Sequence, residues 1–189
     1  MDYELDVDPA LAAAVLELEA HHARAGWDQP SRLYALVDTS QLVEQEPALA
    51  AQLGLDQPIE RGSLTPIEQE ELPDGQQLEE VLPGIVWPDV VTGCAAVVER
   101  LVLPPAADGQ VPDDPAAALE FAREHPDAEE VRIVAGVTRH GAAYCALRMR
   151  SHDEDAAVMG GTDVVPALLE LLRGTLEDAE DESMGGNDE

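Results

Sequence analysis

The segment Glu129-Glu-Val-Arg-Ile-Val-Ala-Gly-Val-Thr-Arg-His-Gly-Ala-Ala-Tyr-Cys-Ala-Leu-Arg-Met-Arg150 decides the fold. Two period-two runs, 129–139 and 143–150, flank His140-Gly141 and read as an antiparallel hairpin. A three-residue loop, His140 to Ala142, pairs Val137 with Cys145, Ala135 with Leu147 and Ile133 with Met149, which makes one face uniformly apolar. The opposite face then sets Arg132 against Arg150, Val134 against Arg148 and Thr138 against Tyr144. A two-residue loop would mix Ile133 with Arg148 and Arg132 with Met149, so burial patterning favours the three-residue loop.

This hairpin is electrostatically out of place. The 189-residue chain carries 40 acids and 10 bases, every base an arginine, for a formal charge of -30. Yet residues 131–150 hold Arg132, Arg139, Arg148 and Arg150 and no acid. Like charges paired across strands repel unless something negative lies over them. Three partners can supply it: acids from neighbouring elements, an acidic protein or anionic ligand docked on the face, or the chain's own acidic tail. Planar guanidinium donors suit all three.

Working outward, Asp8-Pro9 is an N-cap followed by proline at the first helical position, and Gly26 is a stop. Between them Leu11, Val15, Leu18 and His22 share one helical face, with His21 turned away. Arg32 to Val37 reads as a strand, followed by a helix capped by Thr39 or Ser40 and split at Pro47. Residues 55–89 form an irregular, proline-rich insertion, in which Thr65-Pro-Ile-Glu68 matches a capping box for a short helix and Leu78 to Leu82 a helical turn. The β-branched run Val90 to Leu103 is a central strand, stopped by Pro104-Pro105. Asp114-Pro115 starts another helix, to Glu124, and Thr162 caps a last one carrying Val165, Leu169, Leu172 and Leu176. The expectation is one α+β domain, residues 1–176, with a mainly antiparallel sheet packed against helices, and a disordered acidic tail over 177–189.

Composition narrows function by exclusion. At 45% hydrophobic the chain can form a core, so wholesale disorder is excluded. The strong negative charge excludes unaided binding to nucleic acid or anionic lipid. No apolar run spans a membrane, and the acidic stretch Met1 to Asp8 is unlike a signal peptide. Cys94 and Cys145 sit in apolar strands as reduced thiols, which points to the cytoplasm.

Three local patterns bear on chemistry. The loop Ser151 to Asp155 places His152, Asp153 and Asp155 together, weak metal-ligand candidates for want of a second histidine. Gly160-Gly161-Thr162 precedes a helix, but without a lysine or phosphate-loop spacing it reads as a cap. Trp27 and Trp87 lie in proline-containing turns, as core anchors or as parts of a binding surface. No catalytic constellation stands out, and no cofactor is expected.

Gly26-Trp-Asp-Gln-Pro-Ser-Arg-Leu-Tyr-Ala-Leu-Val37, Trp87-Pro88 with Gly93 to Pro105, and Cys145-Ala-Leu-Arg-Met-Arg-Ser-His-Asp153 together resemble a family of small acidic actinobacterial proteins without assigned function. The resemblance runs from the first helix to the last. It implies a cytosolic bacterial protein with an α+β fold similar to that of secretion chaperones.

The leading expectation is a non-enzymatic protein-binding module, chaperone- or adaptor-like, whose surface is the sheet face around Arg132, Arg148, Arg150 and Tyr144, flanked by Trp27 and Trp87. The partner is an unidentified protein, without direct nucleic-acid or membrane contact, and a homodimer is an option. One rival is an acidic mimic of nucleic acid that occupies a basic protein. Another is an enzyme or metal-binding protein centred on residues 151–155.

Overall fold

The structure, a computed structural model, describes residues 7–55, 62–72 and 76–177. Its frame is a six-stranded sheet, antiparallel throughout, in the order β2-β1-β3-β4-β5-β6. These strands are β1 (Arg32–Asp38), β2 (Leu64–Glu68), β3 (Val91–Val102), β4 (Glu129–Thr138), β5 (Ala143–Met149) and β6 (Met159–Gly161). The two long central strands, β3 and β4, pair continuously from Gly93↔Thr138 to Val102↔Glu129. Helix α1 (Pro9–Ala25) covers one face. The opposite face is covered by α4 (Leu78–Val81), a 3-10 turn at Leu82–Gly84 and α6 (Pro166–Leu176). Short helices α2 (Thr39–Gln45) and α3 (Pro47–Gln52) follow β1, and α5 (Pro115–Glu124) joins β3 to β4.

The alternation of each strand builds two cores. Tyr34, Leu36, Ala95, Val97, Val134 and Ala146 meet Leu11, Val15 and Leu18 of α1. Leu33, Cys94, Val98, Ile133, Ala135 and Cys145 meet Leu169, Leu172 and Leu176 of α6. Gly136 lets α1 approach closely, because a Cβ there would lie 2.9 Å from Val15 Cγ2 and 3.0 Å from Leu11 Cδ1. The Asp8 carboxylate caps α1 through the amides of Ala10 and Leu11, and Asp114 caps α5 through Ala117.

Four local expectations are corrected. The hairpin register is Val131↔Met149, Arg132↔Arg148, Val134↔Ala146, Ala135↔Cys145 and Gly136↔Tyr144, so Arg132 faces Arg148 rather than Arg150. The loop is Arg139 to Gly141, closed by the Thr138 amide on the Ala142 carbonyl at 3.0 Å. Gly141, at φ 89°, takes the left-handed last position that such a loop requires. Each residue keeps its face, because the pairing moved by a whole two-residue repeat.

Thr65-Pro-Ile-Glu68 is not a helix but most of β2. The Gln69 amide donates to the Leu33 carbonyl, which sets the parity and turns the nitrogen of Pro66 toward the open edge, where a missing N–H costs nothing. The second helix is capped by Asp38, which accepts from the Gln41 amide, and not by Thr39 or Ser40; Thr39 is buried against Thr65. The break at Pro47 is found. Helix α6 starts at Pro166 with no cap from Thr162, and Gly160-Gly161 belongs to β6. Within 55–89, β2 belongs to the sheet and α4 to a core, while 56–61, 73–75 and the expected tail from 178 lie outside the described residues.

Candidate functional site

Beneath the C-terminal half of α1 the core turns polar. Glu19 continues the row Leu11-Val15-Glu19 down the helix and is only 4% exposed, beside the equally buried His22. Arg148 meets it from β5. Nε and Nη2 of Arg148 donate to the two Glu19 carboxylate oxygens at 2.5 and 3.2 Å. Its remaining donors reach Asp153 Oδ1 at 3.0 Å and Asp155 Oδ1 at 2.7 Å. Paired charge-assisted bonds of this kind are the strong ones, and the Glu19 carboxylate leads in holding the Arg148 guanidinium protonated.

Arg132, opposite Arg148 in register, is 1% exposed. Its Nη2 donates to the Gly26 carbonyl and to Glu99 Oε1, while Nε and Nη1 have no partner among the described residues. The Trp27 ring lies over it, 4.4 Å from guanidinium carbon to ring centre, with Arg150 at 5.7 Å from the same ring. The indole N–H donates to Asp153 Oδ2 at 3.0 Å, the leading reason the Asp153 carboxyl sits below its ordinary range. Arg150 grips Asp28 with both nitrogens, at 2.9 and 3.1 Å, and Glu130 at 2.6 Å. That grip depresses Asp28, whose backbone is left-handed at φ 62°.

His22 extends the network. The Gln29 amide nitrogen donates to the Gly26 carbonyl, which orients its oxygen toward His22 Nδ1 at 3.3 Å. Nδ1 therefore carries the proton, and Nε2 accepts from the Tyr34 hydroxyl at 2.8 Å. Burial lowers the His22 pKa and pushes Tyr34 up to about 12.

The residues anticipated for a binding surface separate into three groups. Arg132, Arg148, Arg150 and Trp27 converge, but Arg132 and Arg148 lie inside the protein, paired with acids from α1, β3 and the loop after β5. Tyr144 shares their face, four residues from Arg148, and covers β6 instead: a Cβ on Gly160 would fall 2.2 Å from its hydroxyl. Trp87 lies on the opposite side of the sheet, nearly buried, with its N–H on Thr175 Oγ1 at 3.0 Å. Arg139, the fourth hairpin arginine, clamps the loop to the carbonyls of Trp87, Val91 and Leu176.

In the loop after β5, Asp153 and Asp155 serve Arg148, and His152 Nδ1 lies 2.9 Å from the Ser151 hydroxyl. Among the described residues no three His, Cys, Asp or Glu side chains converge to hold a metal ion. Burial pushes both thiols up, Cys94 to about 11, which leaves neither poised as a nucleophile. Glu19 and Glu99 were missed from sequence. Glu19 had a signal, since an acid in the apolar i, i+4 row must be paired; Glu99 had one only through its register with Arg132.

Next to this cluster an open cleft of about 980 Å³ runs between α5 and the adjoining ends of β3, β4 and β5. Arg100, Arg123 and Arg150 line it together with four acids, Glu99, Asp127, Glu129 and Glu130, and with Leu119 at the rim. Arg150 is tied as described and Arg100 to Glu79, whereas Arg123 is exposed and makes no ion pair among the described residues. No described helix is long and apolar enough to cross a membrane.

Fold and site together define an α+β protein on an open antiparallel sheet, with a buried arginine–carboxylate network under its first helix. The family model described as PPA1309-like protein matches residues 11–177, and the chain belongs to that family, whose function is unknown. No curated protein and no solved structure matches it.

Proposed function

We propose that the protein is a non-enzymatic, cytoplasmic protein-binding module, adaptor- or chaperone-like, that holds a segment of a partner protein in the cleft between α5 and the sheet end. One observation carries this reading: three of the ten arginines line one open cleft, and among the described residues Arg123 makes no ion pair even though four acids share that cleft. The buried cluster is its support. Arg148 anchors the loop after β5, and Trp27 and Asp28 fix Arg150, so the cleft wall is held in place before a partner arrives. One acidic group of the partner meets Arg123, and Leu119 supplies apolar contact at the rim.

Affinity capture from native cytosol tests this, with wild type beside Arg123→Glu and Leu119→Asp, both exposed positions. A partner lost by both folded variants supports the cleft; a partner kept by both removes it. The acidic-mimic reading gains from the burial of Arg132 and Arg148, which leaves the outer surface more negative than composition alone implies. It predicts a basic partner whose binding collapses with salt and ignores both substitutions.

A further inference from the structure

The two ladders on β3 end at different places. With β4 the pairing runs on to Val102↔Glu129, but with β1 it stops at Arg32↔Val97. Two residues further along that register Pro30 would stand opposite Glu99, and proline has no N–H to offer. Among the described residues, 98–102 therefore have a strand on one side only. The outer edges of the sheet are blunter, since β2 turns Pro66 outward and β6 is three residues long.

Strand parity decides which groups face the open side. The Thr138 amide bonds to Ala142 across the hairpin, so even-numbered residues of β4 bond to β5 and odd-numbered ones to β3. Their partners in β3 are even-numbered, Val98↔Ile133 and Arg100↔Val131, which turns the N–H and C=O of Glu99 and Leu101 away from β4. Among the described residues neither amide has a hydrogen-bond partner, and the Glu99 carbonyl takes only Arg100 Nη1, at 3.3 Å. Both residues are partly exposed and line the cleft that holds Arg123 and Leu119. Unpaired backbone groups along a strand are a template for another strand.

We propose that the partner segment enters the cleft as an extended strand, antiparallel to β3, that pairs with the backbone of Glu99 and Leu101 and sets one acidic side chain on Arg123. This rests on the cleft as the binding site and adds the mode of recognition. Main-chain bonds supply affinity, and side chains at alternate positions supply selection. Charge limits the guest to one acid. Glu99, Asp127, Glu129 and Glu130 share the cleft walls, while Arg100 and Arg150 are already paired.

The test titrates the full, isotope-labelled chain with the peptide acetyl-Thr-Val-Asp-Val-Thr-Val-amide and follows backbone amides by NMR. At saturation, hydrogen exchange at the Glu99 and Leu101 amides slows about tenfold. Leu101→Pro removes one outward N–H without touching the ladder to β4, and weakens binding about fivefold. A peptide N-methylated at alternate residues loses binding in one parity and keeps it in the other, the mark of a strand paired on one side. That readout stands even where Leu101→Pro fails to fold. Shifts at Arg123 and Leu119 with no parity effect overturn the strand pairing and leave the cleft reading standing. No saturable shift at any cleft residue overturns the pairing, whereas the cleft reading itself is decided by the capture experiment. Amides of Glu99 and Leu101 already protected without peptide overturn it too, since the edge is then taken.

Discussion

Both faces of this sheet are buried, but the face under α6 is apolar whereas the face under α1 turns from apolar to ionic along the helix. Under α6 the contacts are aliphatic, with Cys94, Val98, Leu169 and Leu172 at no more than 1% exposure. Under the C-terminal half of α1 they are ionic, with Glu19, His22, Arg132 and Arg148 at no more than 4%. The aliphatic face gains stability from each methylene removed from water. The ionic face gains little net stability, because desolvation offsets most of the Coulomb attraction, but it tolerates almost no error. Arg132 and Arg148 directly across from each other repel unless Glu19 and Glu99 arrive, so α1 and β3 must both dock in register. The difference teaches that the apolar contacts on both faces hold the sheet together, while the ionic end of the α1 face dictates how it is assembled.

The largest expected effect breaks the ionic face. Arg148→Ala leaves Glu19 buried with no cation on it and costs about 4 kcal/mol in urea unfolding. Replacing both partners, Glu19→Leu with Arg148→Met, brings stability back to within about 1 kcal/mol of wild type. A double variant as unstable as Arg148→Ala would show that the network itself, and not the orphaned charge, carries the stability.

On the aliphatic face Leu172→Ala, at a fully buried site in α6, costs about 3 kcal/mol, with no partner substitution able to restore it. Next in size is a pH effect confined to the ionic face. The folded state holds His22 neutral, with a pKa below the 6.5 of the free side chain, so the unfolded chain binds the proton first. Its contribution to stability is complete above that value and is lost as pH falls through and below it. The slope is at most about 1.4 kcal/mol per pH unit. His22→Gln flattens the stability profile in that window, and an unchanged slope would move the titration elsewhere. The smallest effect is at the cleft: Arg123→Glu, in the last turn of α5, lowers stability by no more than about 1 kcal/mol, so a partner lost by the still-folded variant reads binding.

Much of the frame was legible because it is local. Asp8-Pro9 and Asp114-Pro115 set the starts of α1 and α5, and Gly26 lies just beyond the end of α1, through caps and backbone geometry that need no distant partner. The faces of β4 and β5 followed from period two, and even a register error of one repeat left them unchanged. Gly141 held the signal for the true register, since only the last position of a three-residue loop needs a left-handed residue. Thr65 to Glu68 misled because a capping box and an edge strand use the same residue types, and the neighbour at β1 decides between them.

The candidate site was legible only as an imbalance. Four arginines without an acid in residues 131–150 announced that negative charge must come from elsewhere, and period two gave Arg132 and Arg148 a shared face. Which acids answer them was beyond the sequence. Glu19 lies 129 positions from Arg148 and Asp28 122 from Arg150, and with 40 acids in the chain no local rule selects those two. Sequence determined what the backbone dictates over a few residues: caps, breaks, alternation and the charge surplus of the hairpin. Tertiary structure alone decided that α1 closes over that face and buries the guanidiniums, because pairing across such distances is settled by where whole elements pack.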